Sequence, residues 1–488
     1  MLTVSSFIKK SSLALCLFLS GFLISSAQED LPTDYLSKEF HAGRRDAIRK
    51  IMPDNSVMVV LAYPTRNFSN DVDYFYHPNP DMYYFSGYRE PHSLLLIFKD
   101  PQKDSAGNSY DEVLFVQKKN KSAEQWTGRR LGTDGAKEKL GLRYVYNGED
   151  FAAYPIDFSN FTTILMDRLP DDVPKGDKGE LYDLIQQFKQ KVALPQDYAA
   201  NIRYDWKAFR KLTGTLREIK TSEEMTLIRK AVEISCQGQN EVIKALRPDM
   251  SELEIQGLHE YVHKKYGAEG VGYGSIIGAG ENGCTLHYEE NTKTRVGNQM
   301  MLMDVRAEYH GYTADVTRTI PSKGKFSSEE KLIYQLVYDA QEAAFKILKD
   351  GAKWTEASTA ARNVITDGLV KLGIAKDKKE ADKYYPHGLS HHIGLDVHDR
   401  GASPALKKGM VITIEPGIYI PEGSNCDRKW WSIAVRIEDD ALITQDGYEL
   451  LSDFAPRSIA DIEKMAAQSS AVDDFKLPPL KSGEKKGF

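Results

Sequence analysis

Cysteine is scarce in this sequence. Four cysteines occur in 488 residues, and setting aside Cys16, near the N-terminus, leaves Cys236, Cys284 and Cys426. These three contain no CxxC pair, so their spacing does not support a zinc site built from thiolates. An odd number cannot all pair within the chain. We therefore expect free cysteines, or at most one disulfide on which the fold does not depend.

An excess of basic residues is also absent. Lysine and arginine number 64 against 70 aspartates and glutamates, which gives a net charge of −6. No run of like charge forms a tail, so the sequence argues against nucleic acid as a partner. The length exceeds that of one ordinary core and predicts two or three domains.

Long apolar runs are missing as well, apart from one short stretch. Lys9 and Lys10 precede the apolar residues 13–24, and Ser25, Ser26 and Ala27 provide the small residues of a cleavage site. The stretch is too short for a good membrane span. We predict a signal peptide over residues 1–27, export to the periplasm or the exterior, and no stable membrane anchor.

Short apolar segments separated by turn-rich stretches characterise residues 28–205, for which we predict an α/β domain. The predicted strands cover 56–62, 93–98, 112–117 and 161–166, and a helix covers 179–192. Residues 201–215 are predicted to be a linker.

Helix-start signals mark the second half. Thr221 and Ser251 precede acidic residues and apolar-periodic runs, and further helices are predicted over 327–348 and 355–372. Strand segments lie between these helices and again over 410–444. We predict an α+β catalytic domain over 215–467, followed by a disordered tail over 468–488 that is rich in Ser, Lys, Pro and Gly.

Acidic residues interrupt apolar strands in this second domain. Asp304 follows four apolar residues, Glu415 ends the run 411–414, and Glu438 follows another. A buried charge needs a partner. Around the 308–311 turn, a register with Glu308 facing Gly311 would set Asp304 directly opposite Asp315, where two carboxylates require a cation or proton between them.

Histidines cluster in residues 387–399, HGLSHHIGLDVHD, which hold four of the eleven in the chain. We predict that His391 joins the acids and that the site binds two divalent cations, whose charge would balance four carboxylates. Oxygen-rich ligation with one imidazole favours Mn²⁺, with Co²⁺, Fe²⁺ and Zn²⁺ as alternatives. The predicted ligands are Asp304, Asp315, His391, Glu415 and Glu438.

These segments resemble the pita-bread metallopeptidases, and most closely the Xaa-Pro aminopeptidases (aminopeptidase P). The likeness lies in ADVTRT (314–319), the histidine-rich segment, IEPGIY (414–419), RIEDD (436–440) and GAGENGCTLHY (278–288). It extends to YFSGY (84–88) and WTGRRLG (126–132) in the first half. The resemblance implies an α/β N-terminal domain, a pita-bread (creatinase/aminopeptidase-like) catalytic domain, and a homodimer or homotetramer.

The resemblance also implies site roles and a substrate, a peptide with proline in second position. Glu415 would transfer protons, His287 and His398 would flank the substrate, His387 is a weaker catalytic candidate, and Arg436 and Tyr419 would orient the Asp304 side. The chain departs from the pattern at Arg306, where the family often has glycine, at Tyr83, where tryptophan is common, and in a shorter segment between His398 and Glu415.

Two other activities compete with this interpretation. A prolidase, which acts on Xaa-Pro dipeptides, shares the fold and the metal ligands, although the N-terminal segments favour the aminopeptidase. A non-catalytic peptide-binding module of the same fold is a remote alternative. Such relatives typically lose metal ligands, whereas all five are present in this sequence. Methionine aminopeptidases lack a large N-terminal domain of this type.

Overall fold

The computed structural model describes residues 32–473 and residue 477. The predicted signal peptide and most of the predicted disordered tail lie outside these residues. From Leu36 onward the described residues form one compact unit. The division at 205–215 therefore stays a prediction.

The N-terminal part is a mixed sheet with helices around it. Its sheet has the strand order β6-β5-β4-β1-β7, in which β1–β4 and β4–β5 are antiparallel and β1–β7 and β5–β6 are parallel. The α/β prediction is confirmed. The elements are α1 (Lys38–Ile51), β1 (Ser56–Leu61), β2 (Asn67–Ser69), β3 (Val72–Asp73), α2 (Pro80–Ser86), β4 (Leu94–Lys103), β5 (Ser109–Val116), α3 (Lys121–Thr127), α4 (Gly132–Leu140), β6 (Val145–Asn147), β7 (Thr163–Met166), α5 (Leu181–Lys191) and α6 (Trp206–Arg217).

The linker prediction for residues 201–215 is wrong, because most of that segment is α6. The side chain of Asp205 accepts a hydrogen bond from the Ala208 N–H and caps the helix. Phe209 and Thr213, four residues apart, are both buried on one face. Tertiary packing of that face outweighs the weak helix propensity of the Thr213-Gly214-Thr215 run.

The C-terminal part is α+β, as predicted. Its core gathers buried side chains of α9 and α10 with those of β10, β14 and β16. The elements are α7 (Ser222–Ala245), α8 (Glu252–Lys265), β8 (Gly270–Val271), β9 (Ile276–Ala279), β10 (Met300–Val305), β11 (Ala307–Tyr309), β12 (Tyr312–Thr313), β13 (Val316–Pro321), α9 (Ser328–Phe345), α10 (Trp354–Lys371), α11 (Lys378–Ala381), β14 (Val411–Ile414), β15 (Gly417–Ile420), β16 (Ile433–Arg436), β17 (Asp439–Ile443), β18 (Tyr448–Leu450) and α12 (Ile459–Met465).

Hydrogen-bonded caps begin the long helices where the sequence signals them. Thr221 and Ser327 form capping boxes with the glutamate three residues later, and the Ser251 side chain accepts from the Glu254 N–H. Within residues 32–473, no helix is both long and apolar enough to cross a bilayer.

The strands of this part are repeatedly interrupted. They form sheets of order β13-β10-β9, β12-β11-β8, β14-β17-β18 and β15-β16. Two residues separate the strands within each of three consecutive pairs, β12/β13, β14/β15 and β16/β17. At each of these gaps the chain leaves one sheet and enters another. Asp315, Glu415 and Glu438 lie in these three interruptions, so their carboxylates sit where the sheets diverge.

Candidate metal centre

All five predicted metal ligands line one cleft of about 250 Å³. Three histidines from two segments line the same cleft: His287, His387 and His398. The sequence therefore identified residues that come together although more than 130 positions separate the first ligand from the last.

The hairpin that carries both aspartates has a different register from the one predicted. Asp304 pairs with Thr317, and Tyr309 pairs with Tyr312. The turn is His310-Gly311, and both residues have positive φ, 50° and 85°. This two-residue turn matches the twist of a hairpin, which is why it is preferred over a turn centred one residue earlier. The prediction that Asp304 directly opposes Asp315 is wrong; the two are diagonal neighbours.

Asp315 is held in place by a second acid. Its backbone N–H donates to Asp440 Oδ2 at 3.0 Å instead of to the neighbouring strand. Both residues are buried, at 2% and 0% exposure. The interruption between β12 and β13 thus turns the Asp315 carboxylate towards the cleft.

The histidine-rich loop pairs with β14. The Thr413 N–H donates to the His391 carbonyl at 3.0 Å, and the Glu415 N–H donates to the Leu389 carbonyl at 2.8 Å. This pairing leaves His391 Nε2 3.4 Å from Glu415 Oε1 and 3.6 Å from Asp315 Oδ2.

The His391 ring has the orientation of a metal ligand. Its Nδ1 lies 2.9 Å from the carbonyl oxygen of His392, where only a protonated nitrogen makes a hydrogen bond. Nε2 is then unprotonated and directs its lone pair towards carboxylates. Burial lowers the pKa of His391 to about 4, which keeps the ring neutral.

Glu438 is fixed by the hairpin strand β13. Its N–H donates to the Thr317 carbonyl at 3.1 Å, and the Thr317 hydroxyl donates to Glu438 Oε2 at 2.6 Å. Thr317 faces Asp304 across the hairpin. One threonine thereby sets the spacing between two carboxylates.

Asp304 is surrounded by donors. Tyr273 Oη donates to Asp304 Oδ2 at 2.7 Å, Arg436 Nη2 donates to the same oxygen at 2.6 Å, and Arg306 pairs with Oδ1. The Tyr419 hydroxyl lies 2.8 Å from Arg436 Nη1 and 2.8 Å from His387 Nε2. Arg436 and Tyr419 therefore occupy the positions expected of residues that orient Asp304.

Three of the carboxylates resist ionisation although Arg306 and Arg436 lie close by. Burial, reinforced by neighbouring acids, raises the pKa of Glu438 to about 7 and raises those of Asp315 and Glu415 well above their usual values. A cation among them would reverse these shifts by favouring the charged forms.

The residues present fit a divalent ion. Ligand atoms of Asp315, His391 and Glu438 lie within 4.8 Å of one another. Carboxylate oxygens with one neutral imidazole suit manganese, zinc and related ions. Asp304 and Glu415 line the same cleft and complete the predicted ligand set.

The remaining predicted site residues form the walls of the cleft. His287 and His398 are exposed, His387 is half-buried, and the rings of His391 and His398 meet edge to face with centroids 4.3 Å apart. Their catalytic roles stay predictions.

Sequence reasoning missed Tyr273 and Thr317. Tyr273 stands in a glycine-rich stretch with no local signal, and its contact with Asp304 spans 31 positions. Thr317 was within reach, because it lies two residues after Asp315 and so shares its strand face. The three described cysteines are free, as expected.

Two family models match this chain. Residues 226–445 match metallopeptidase family M24, and residues 41–160 match the aminopeptidase P N-terminal domain. These matches fall inside the two predicted domains.

Relatives are similar over nearly their whole length. The Xaa-Pro aminopeptidase of Escherichia coli is 32% identical over 455 residues, covering 88% of this chain and 98% of the relative. Human Xaa-Pro aminopeptidase 3 is 31% identical, and the similarity covers 85% of this chain and 82% of the relative.

Solved structures agree with the fold. Escherichia coli aminopeptidase P with the inhibitor Pro-Leu superposes with a TM-score of 0.77 at 31% identity, covering 88% of this chain and 98% of that one. A Pseudomonas aeruginosa aminopeptidase superposes with a TM-score of 0.78, also at 31% identity, and the match covers 89% of this chain and 98% of that one. Another similar structure is a zinc-substituted Escherichia coli aminopeptidase P with product. The predicted combination of an α/β domain with a pita-bread domain is confirmed.

Proposed function

Because this chain belongs to metallopeptidase family M24, we propose that it releases the N-terminal residue from peptides with proline in the second position. The observation that carries the proposal is the cleft itself, in which four carboxylates and a neutral, correctly oriented imidazole converge beside three further histidines. The protein is a metalloexopeptidase of the aminopeptidase P type.

The N-terminal part favours the aminopeptidase over the prolidase. The aminopeptidase P N-terminal model matches residues 41–160, and the similarity to Xaa-Pro aminopeptidases runs through both halves. A site built only for dipeptides needs no room beyond the proline. Here the cleft is open, and a second cavity lined by His398, Leu395 and Glu308 adjoins it.

The cofactor is a pair of divalent ions, with Mn²⁺ favoured. Asp315, His391 and Glu438 would hold one ion, and Asp304 and Glu415 would extend the set to a second. When bound, such ions lower the pKa of water and polarise a carbonyl oxygen.

Glu415 is the residue that we propose transfers protons. Its side chain retains 17% exposure, whereas the side chains of Asp304 and Asp315 retain 5% and 3%. A carboxylate that stays partly exposed can accept a proton from water and pass it to the leaving nitrogen. An Xaa-Pro bond has no N–H, so the site needs no acceptor for one.

His287 and His398 bind the substrate. Both rings are exposed on the cleft wall and offer N–H donors to a peptide carbonyl and to the oxyanion that develops there. His387 acts through Tyr419, whose hydroxyl it contacts at 2.8 Å. This contact connects the cleft wall to Arg436 and Asp304.

A substrate series tests the proposal. Metal-loaded protein starting at Gln28 is incubated with an Xaa-Pro-Yaa tripeptide, the matched Xaa-Ala-Yaa tripeptide and the Xaa-Pro dipeptide, and free amino acids are measured. We expect release of the first residue mainly from Xaa-Pro-Yaa. Dominant cleavage of the dipeptide would make the protein a prolidase, and no release from any substrate would contradict the peptidase proposal.

We further propose export of the protein and assembly into a homodimer or homotetramer. Lys9, Lys10 and the apolar residues that follow are the support for export. N-terminal sequencing of protein recovered outside the cytoplasm should begin at Gln28. Light scattering of that protein should give a mass two or four times that of the chain.

A further inference from the structure

An arginine lies inside the metal centre. Arg306 is 1% exposed and stands two residues after Asp304, between β10 and β11. Its Nη2 pairs with Asp304 Oδ1 and lies 3.2 Å from Asp315 Oδ1. One guanidinium thus bridges two of the carboxylates that would otherwise share a cation.

The oxygens of Asp304 are largely occupied. Oδ2 accepts from both Tyr273 and Arg436, and Oδ1 accepts from Arg306. A carboxylate offers about four lone-pair directions. Three protein donors leave Asp304 with about one direction for a metal ion.

The side of the cleft that carries Asp315 has more free lone pairs than the Asp304 side. Asp315, His391 and Glu438 form the compact three-ligand group, and Asp304 is not part of it. His391 Nε2 has no proton to donate, and Glu438 keeps one oxygen that is not bonded to Thr317. This side offers open lone pairs from three residues.

The buried charges also favour the binding of one divalent ion over the binding of two. Four carboxylates carry −4, while Arg306 and Arg436 carry +2, so the ligand set with its guanidiniums has a net charge of −2. Asp439 is neutralised by Arg318 at 2.7 Å. One divalent ion already balances this ligand set, and a second leaves an excess of positive charge.

We propose that Arg306 sets the metal stoichiometry of this centre by supplying part of the charge of a second ion. One divalent ion binds strongly at Asp315, His391 and Glu438. The second, on the Asp304 side, binds weakly and exchanges. This inference rests on the proposed function only in taking the centre to be a divalent-metal site.

Three substitutions at position 306 separate charge from shape. Arg306→Met removes the charge and keeps most of the volume, Arg306→Lys keeps the charge, and Arg306→Gln keeps polarity without charge. If charge decides, the methionine and glutamine variants should behave alike and the lysine variant should behave as the parent. Circular dichroism verifies that each variant folds.

The test is calorimetric titration of metal-free protein with Mn²⁺, with electron paramagnetic resonance to distinguish isolated from coupled ions. The parent should bind one equivalent at least tenfold more tightly than the second, a roughly tenfold effect being usual for groups bonded to metal ligands. Arg306→Met should tighten the second equivalent by about tenfold or more. Arg306→Lys should leave the two affinities as unequal as in the parent.

Two equal affinities in the parent, or an unchanged second affinity in Arg306→Met and Arg306→Gln, would overturn the inference. Peptide hydrolysis is scored separately. Hydrolysis with two equal affinities would overturn the role of Arg306 alone, whereas unequal affinities without hydrolysis would overturn the proposed function alone.

Discussion

A single hydroxyl group joins the substrate wall of the cleft to its buried acids. Tyr419 Oη contacts Arg436 Nη1 and His387 Nε2, both at 2.8 Å, and Arg436 in turn holds Asp304. Tyr385 packs edge to face on the same His387, with ring centroids 5.0 Å apart, but its buried hydroxyl has no hydrogen-bond partner among the described residues. Two neighbouring tyrosines therefore differ chiefly in what their hydroxyls do.

Tyr419→Phe should lower both activity and stability. Removing the hydroxyl costs the buried Arg436 and the half-buried His387 one hydrogen bond each, which lowers the unfolding free energy by about 1–3 kcal/mol. Turnover of an Xaa-Pro-Yaa peptide should fall because Asp304 loses the orientation of its arginine. Urea denaturation and peptide kinetics measure the two effects.

Tyr385→Phe is the matched control. It removes a hydroxyl that bonds to nothing described, so stability and turnover should change little. Equal losses in the two variants would contradict the assigned roles.

Single residues were the most predictable level of this protein. Asp304, Glu415 and Glu438 stand out because each interrupts a buried apolar strand, and burial of a charge demands a partner. The register that pairs Asp304 with Thr317 was predicted wrongly, since it depends on which residues occupy the turn. Gly311 was the available clue, because it supplies the positive φ that a two-residue turn requires.

At the scale of elements, one helix end holds the histidine loop in place. Arg217, the last residue of α6, pairs with Asp81 of α2 at 3.0 Å and with Asp396 of the loop at 2.7 Å. It also pairs with the buried Asp399. Asp399 donates its N–H to the His392 carbonyl at 2.9 Å, so the ion cluster lies one residue away from the His391 ligand.

Arg217→Met should destabilise the fold by up to about 3–5 kcal/mol, because it removes the buried cation that Asp81 and Asp399 share. Among the described residues, Asp81 then keeps only Arg400, and Asp399 keeps only Lys220. Turnover should also fall, since the loop that carries His391 and His398 loses its anchor. Chemical denaturation and tripeptide hydrolysis report the two changes.

Arg210→Met on the same helix provides the comparison. Arg210 is exposed and pairs with Asp167 at 3.0 Å. Loss of an exposed pair costs at most about 1 kcal/mol. Equal losses of stability in the two arginine variants, or unchanged turnover in Arg217→Met, would contradict this role of Arg217.

Elements were predictable where a cap or an apolar period marks them. The starts at Thr221, Ser251 and Ser327 agree with the structure because their caps are local. α6 was taken for a linker because what stabilises it is distant: Arg217 bonds to acids 136 and 179 positions away. Local helix propensity does not depend on such distant contacts.

At the scale of the whole molecule, buried neutral histidines limit stability in acid. His259 and His263 on α8 are 0% and 1% exposed and pack against Gly238 of α7. A Cβ at Gly238 would lie 2.8 Å from His263 Nε2, so the glycine allows this close approach. Burial lowers the pKa of His263 to about 4 and that of His259 well below 6.5.

Stability should therefore fall as the pH drops below 6.5. The unfolded chain binds protons at these histidines between pH 6.5 and the lower folded pKa, while the folded chain does not. Each group makes the unfolding free energy fall by about 1.4 kcal/mol per pH unit in that window. His263→Gln should remove about one such slope between pH 6.5 and 4, measured by urea denaturation at several pH values.

His77→Gln is the control, because the pKa of His77 is shifted in the opposite direction to that of His263. A hydrogen bond from His77 to Glu308 raises the pKa of His77, so its stabilising effect is present below pH 6.5 and is lost as the pH rises through the folded pKa. This variant should leave the slope below pH 6.5 unchanged. A His263→Gln variant with the parent's slope would contradict the account of acid lability.

The central claim is metal-dependent hydrolysis at the cleft with Glu415 as the proton carrier. The most direct measurement is Xaa-Pro-Yaa turnover by chelated protein as Mn²⁺ is added back, with Glu415→Gln and the exposed Glu422→Gln in parallel. We predict no turnover after chelation and restoration by Mn²⁺ in the parent and in Glu422→Gln. Glu415→Gln should stay folded and slower by about 10²-fold or more at saturating metal. Full turnover in chelator, or a Glu415→Gln protein as fast as the parent, would contradict the claim.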